Sequence, residues 1–102
     1  MSLQVLLVCG TGASSGFMAV SMRKVAKKKG LDYQIKARSE SELENYLAET
    51  DVIMIGPHLS FMEAEIKQLV TGTDKKVILM NSDYYATLDG EKALDHLQSV
   101  LD

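Results

Sequence analysis

Short apolar runs alternate along this chain with longer stretches of helical periodicity. Three runs, Val5-Leu6-Leu7-Val8, Val52-Ile53-Met54-Ile55 and Val77-Ile78-Leu79-Met80, are continuously apolar over four residues. That is the pattern of strands covered on both faces of a parallel sheet. A fourth run, Tyr33-Gln34-Ile35-Lys36-Ala37-Arg38, alternates apolar with polar, so one of its faces is wetter and it belongs at an edge. Between the runs the spacing predicts four helices. The first spans about 15–29, with Phe17, Met18, Met22, Val25 and Ala26 on one side and Gly30 as its stop. The second spans about 40–48, opens with Ser39 and Glu42 at capping-box spacing, and buries Leu43, Tyr46 and Leu47. The third follows Ser60, with Glu63 completing a second capping box, Met62, Ile66, Leu69 and Val70 inward, and Gly72 near its end. The last begins at Asp89 as N-cap and carries Ala93, Leu94, Leu97, Val100 and Leu101.

Strand and helix thus alternate four times, the signature of an α/β fold with right-handed crossovers and helices on both faces of a parallel sheet. An edge second strand beside a central first strand implies a four-stranded sheet of order 2-1-3-4, a flavodoxin-like three-layer sandwich. In such sheets ligands sit at the carboxyl ends of the strands, at the switch point beside the first strand.

Composition narrows the class. At 102 residues, 46% of them hydrophobic and 25% charged, the chain is one globular domain, 1–102, with a single core and no disordered composition. A net charge of −3 without a basic stripe argues against nucleic acid as a partner. The one basic run, Lys27-Lys28-Lys29, falls in the last turn of the first helix, where cations favour the dipole. A single cysteine permits no internal disulfide, and Met1-Ser2-Leu3 has no signal-peptide character, so a cytoplasmic protein with a reduced thiol is expected. No stretch approaches the length of a membrane span, so no direct membrane insertion is expected and any membrane process is served from the water side.

The candidate chemistry lies where the first run ends. Cys9 closes it and is followed by Gly10-Thr11-Gly12-Ala13-Ser14-Ser15-Gly16. A strand, a Gly/Ser-rich turn and a helix together direct several backbone N–H groups outward at the positive end of the helix dipole. The same field lowers a thiol's pKa from about 8.5 toward roughly 3.5–7.5. One element can therefore create a nucleophile and hold the phosphate it attacks. A lone cysteine in mid-strand would read as a small inert hydrophobe; Cys9 stands instead where the backbone leaves the sheet.

Spacing separates the phosphate chemistries. A Walker loop is excluded because Gly16 follows Gly12 too soon and the loop has no lysine. The dinucleotide fingerprint is half present, with Gly10 and Gly12 in place and Ser15 in the third position, but Arg38 and Ser39 end the second strand where a ribose-binding acid is needed. A cysteine-dependent phosphatase needs an arginine six residues after the nucleophile, and that position is Ser15. Without the guanidinium the main electrostatic contribution to hydrolysis is missing. A small cysteine-dependent phosphatase, despite Ser15, and a flavodoxin-like nucleotide or flavin module stay open as alternatives, although 6% aromatics and no tryptophan disfavour a flavin stack.

The run Leu6 to Ser15, then Ile55-Gly56-Pro57-His58 after the third strand, and Tyr84 with Asp89-Gly90 before the last helix, resemble over nearly the whole chain the enzyme IIB component of the bacterial phosphotransferase system, lactose/cellobiose (chitobiose) class. The resemblance implies that Cys9 accepts a phosphoryl group from a phosphohistidine on a IIA partner and passes it to a sugar, a β-linked disaccharide such as lactose or cellobiose, held by the membrane-embedded IIC component. It implies a covalent phosphocysteine with no cofactor and no metal, at the inner face of the membrane through IIC. Read together with the loop, it gives Gly10, Thr11, Gly12, Ala13, Ser14, Ser15 and Gly16 as the phosphate cradle, with Ser14 or Ser15 doubling as N-cap. His58 and Tyr84 are rim candidates; Tyr84 and Tyr85 serve equally well in the core. His96 reads as a surface residue, and Phe17 and Met18, just past the loop, as candidates for partner contact.

Overall fold

The structure, a computed structural model, describes residues 3–9 and 13–101. Four parallel strands, β1 (Leu3–Cys9), β2 (Tyr33–Ser39), β3 (Val52–Ile55) and β4 (Lys76–Leu79), form one sheet in the order β2-β1-β3-β4. β1 runs in register with β2 from Leu3↔Tyr33 to Cys9↔Ser39 and with β3 from Val5↔Val52 to Val8↔Ile55. The expected sheet order and the edge position of the alternating second strand are both present. Among the described residues five α-helices accompany the sheet: α1 (Ala13–Lys28), α2 (Leu43–Tyr46), α3 (Glu63–Leu69), α4 (Ser82–Ala86) and α5 (Gly90–Leu101).

Strand pleating divides the interior into two cores. Val5 and Leu7 of β1 meet Met18, Met22 and Ala26 of α1 and Ala93, Leu94 and Leu97 of α5 on one face. Leu6 and Val8 meet Leu43, Leu59, Ile66 and Val70 on the other. β1 and β3 are buried along nearly their whole length. β4, although continuously apolar from Val77, is the second edge of the sheet, and of its four residues only Ile78 is fully buried.

Several local expectations are corrected. α1 begins at Ala13, so Ser14 and Ser15 lie inside its first turn rather than at the cap. Its far end is as expected: Gly30 adopts φ +74°, and the amides of Gly30 and Leu31 return to the carbonyls of Lys27 and Ala26 at 3.2 and 2.8 Å, closing the last turn. Phe17 leaves the buried stripe and is 66% exposed, whereas Met18 is fully buried. The second helix is broken into a 3-10 turn at Glu40–Glu42, the short α2 and another 3-10 turn at Leu47–Glu49. Neither capping box forms. Ser39 finishes β2 and its Oγ bonds Ser41 Oγ at 2.8 Å, and Glu63 starts α3 with its carboxylate on Lys67 Nζ at 3.2 Å. Ser60 belongs to a kinked 3-10 stretch, Pro57–Met62, and Leu69, expected inward, is 44% exposed. α5 has its N-cap, with the Lys92 amide donating to Asp89 Oδ1 at 3.1 Å. Gly90 is there because α1 passes so close: a Cβ on it would lie 2.5 to 2.8 Å from the backbone of Ser21 and Met22. No helix among the described residues is long and apolar enough to cross a membrane.

Candidate functional site

Cys9 is the last residue of β1, one of the two strands with a neighbour on each side, and it is fully buried. Pleat parity puts its side chain on the face of Val5 and Leu7, toward α1. α1 starts four residues later at Ala13, so the backbone amides of its first turn, which have no partner within the helix, face the carboxyl end of the sheet. Two influences meet on the sulfur. Burial disfavours an ionised thiol, while the positive end of a 16-residue helix favours it.

Three strands end level with one another here. The Gly56 amide donates to the Val8 carbonyl at 2.9 Å, and the Met80 amide to the Ile55 carbonyl at 2.8 Å. β3 therefore releases the chain directly beside Cys9. The ring of His58 folds back on Gly56 so closely that a Cβ there would lie 2.7 Å from its Cε1. Pro57 and the 3-10 turn that follows redirect the chain, which places the exposed imidazole over the end of β3. Tyr85 stands against it with ring centroids 5.9 Å apart. On the other side, Ser39 is the register partner of Cys9, and Arg38, the partner of Val8, stacks on Tyr46 at 5.0 Å.

The expected site residues distribute unevenly. Gly10, Thr11 and Gly12 lie outside the described residues, as do the side chains of Ala13, Ser14 and Ser15. Gly16 is in the first turns of α1, with open space where a side chain would project. His58 is at the rim. Tyr84 is not: it turns into the α1–α5 core, 6% exposed, with its Oη and His96 Nδ1 joined by a 2.7 Å hydrogen bond. Burial pushes its pKa up, against a smaller lowering by a hydrogen bond from Asn81. Consecutive residues on a helix diverge by about 100°, so with Tyr84 inward Tyr85 faces the rim. His96 is accordingly half-buried and bonded, a correction to its reading as a surface residue. The sequence signal for that pairing is Asn81, whose Oδ1 accepts from the Asp83 amide at 2.7 Å and starts the unanticipated α4.

Residues 4–96 match the family model described as the lactose/cellobiose-specific IIB subunit of the PTS system. A galactose-specific PTS EIIB component from Lactococcus lactis subsp. cremoris is 32% identical over 104 residues, covering 95% of this chain and 94% of that protein. A lactose-specific PTS EIICB component from Lacticaseibacillus casei is 25% identical over 97% of this chain, which spans 18% of that longer protein. Among solved structures, a cellobiose-specific phosphotransferase IIB component from Borrelia burgdorferi superposes with a TM-score of 0.76 at 28% identity, covering 94% of this chain and 88% of that one.

Proposed function

Because the chain belongs to the lactose/cellobiose-specific IIB family of the sugar phosphotransferase system, we propose that Cys9 is its phosphoryl carrier, taking the group from a phosphohistidine on a IIA protein and giving it to a sugar bound by a IIC component. The observation that carries this reading is the position of the thiol: the carboxyl end of an inner strand, four residues ahead of α1.

In the first transfer the Cys9 sulfur attacks phosphorus in line, an S–P bond forms and the N–P bond of the donor breaks, and the electron pair leaves on the imidazole nitrogen. The amides of Ala13 to Gly16, together with Gly10, Thr11 and Gly12 and the hydroxyls of Ser14 and Ser15, hold the phosphate oxygens. In the second transfer a sugar hydroxyl oxygen attacks the same phosphorus, the S–P bond breaks, and the hydroxyl proton passes to the sugar-binding component. Neutral donors suit a group that is stored and released. The loop from Gly10 to Gly16 contains no lysine or arginine, so hydrolysis lacks its electrostatic support. The partnership with IIC is supported by the Lacticaseibacillus relative, whose name joins C and B components. The sugars in the relatives' names are galactose, cellobiose, an oligo-β-mannoside and lactose, and we assign this chain a β-linked disaccharide such as lactose or cellobiose. No cofactor takes part.

Incubation with a phosphorylated IIA protein should add one phosphoryl group, labile as a thiophosphate is, and Cys9→Ser should abolish it. A Cys9→Ser protein that still takes up an equal label refutes the reading.

A further inference from the structure

Charge is distributed unequally between the helices on the two faces of the sheet. From residue 13 to 29 there are five cations, Arg23, Lys24 and Lys27 to Lys29, and no acid. From residue 40 to 51 there are five acids, Glu40, Glu42, Glu44, Glu49 and Asp51, and no base. The acidic stretch forms one wall of a groove of about 280 Å³ between α2 and α3. Its floor is apolar, made by Leu43, Met62, Ile66 and the half-exposed Leu69. Its rim carries Glu40, Glu44 and Glu65.

None of these three carboxylates has an ion-pair partner among the described residues, and the one lysine of α3, Lys67, is held by Glu63. Glu40 Oε2 is buried with no hydrogen-bond donor among the described residues. A carboxylate oxygen shut off from water without a donor is unfavourable, and a donor arriving from outside would remove that penalty. The groove also lies in the right place. Glu40 follows Ser39, the register partner of Cys9, so one end of the groove lies at the carboxyl edge of the sheet where Cys9 ends β1, with the groove itself on the face opposite the Cys9 side chain.

We infer that this groove docks the IIC component through a water-facing segment in which a lysine or arginine stands beside a large aliphatic residue. The cation meets Glu40, Glu44 and Glu65, and the aliphatic side chain lies on Leu69 and Met62. Charge complementarity selects this occupant, because the cytoplasmic loops of membrane proteins carry an excess of Lys and Arg. The inference rests on the proposed function only in identifying the acceptor.

The test mixes purified protein, wild type or the E40Q/E44Q/E65Q variant, with inverted membrane vesicles carrying the IIC component of the same system, and with vesicles of the same lipid lacking it. Co-sedimentation reads binding, and IIA-dependent labelling of Cys9 is followed separately in solution. The expected result is a half-saturation on IIC vesicles at least tenfold higher for the variant, with labelling by IIA unchanged. Raising salt should weaken the wild type and leave the variant little affected. Leu69→Ser, which changes an exposed side chain without touching the charges, should act in the same direction. Unchanged binding, equal loss on IIC-free vesicles, or a parallel fall in labelling by IIA each overturns the inference. Groove-dependent binding by a protein that is never labelled on Cys9 would instead refute the proposed function and leave this inference standing.

Discussion

Replacing Gly90 by alanine should destabilise the protein by about 2 kcal/mol. The new Cβ would lie 2.5 Å from the Ser21 carbonyl carbon, 2.6 Å from its oxygen and 2.8 Å from the Met22 nitrogen. Comfortable carbon contacts lie at about 3.5–4.0 Å, so the start of α5 must move roughly 1 Å away from α1. All three atoms are helix backbone, which cannot swing aside as a side chain can. The displacement also loosens Met18 and Met22 from Leu94 and Leu97, which are fully buried along the same seam. Overpacking of this kind costs about 1–3 kcal/mol, and the upper end applies here. Alanine's helix preference over glycine returns at most about 1 kcal/mol. In a domain of this size a loss of about 2 kcal/mol lowers the melting temperature by roughly 10 °C. Gly16→Ala is the matched control. Nothing lies within 4 Å of its added methyl, so it should be neutral or stabilising by up to about 1 kcal/mol. Both are read by urea and thermal unfolding followed by circular dichroism. A Gly90→Ala protein as stable as the wild type would show that the α1–α5 seam has slack the structure denies.

Phe17→Ser should leave the urea midpoint within the equivalent of about 0.5 kcal/mol, because the ring is 66% exposed, while raising the half-saturation for the IIA protein in the labelling assay; a large loss of stability would put the ring in the core. Tyr84→Phe removes the 2.7 Å bond to His96 and should lower stability by about 1 kcal/mol at neutral pH. Its pH signature follows from the raised pKa. The folded state keeps the phenol proton above about pH 10, where the unfolded chain has lost it. The stability this gives is therefore complete below that pH and is lost as pH rises through the folded value. The wild-type urea midpoint should fall between pH 9 and 11 more steeply than that of Tyr84→Phe; parallel slopes would contradict it.

The legible parts of the sequence are those where one physical demand dominates. Val5 to Val8 and Val52 to Ile55 are apolar because both sheet faces cover them, and the alternation of Tyr33 to Arg38 marks an edge with one wet face. Cys9 could be placed because a strand end ahead of a glycine-rich turn has few other geometries. Where two demands compete the sequence misleads. Ser39 has the residue type for a cap, yet it is committed to β2 by its pairing with Cys9. Phe17 sits one position off the Met18–Met22–Ala26 stripe, and a 100° offset carries it into solvent. The Tyr84–Tyr85 pair offers two rings of equal hydrophobicity, and only the phase of the five-residue α4 decides which one enters the core. Gly90 gave no sign of its role, because the atoms it avoids belong to residues about 70 positions earlier in the chain.

The parallel sheet has a consequence for how the domain folds. Leu3 pairs with Tyr33 and Val5 with Val52, so the central strand waits 30 and 47 residues for its two neighbours, and Val52 pairs with Lys76 only 24 residues on. No hairpin is available to seed the sheet, and loop closure must precede every strand contact. Cys9 reaches its place only after both crossovers have closed. A chain arrested before residue 55 therefore contains Cys9 but no structure that can use it.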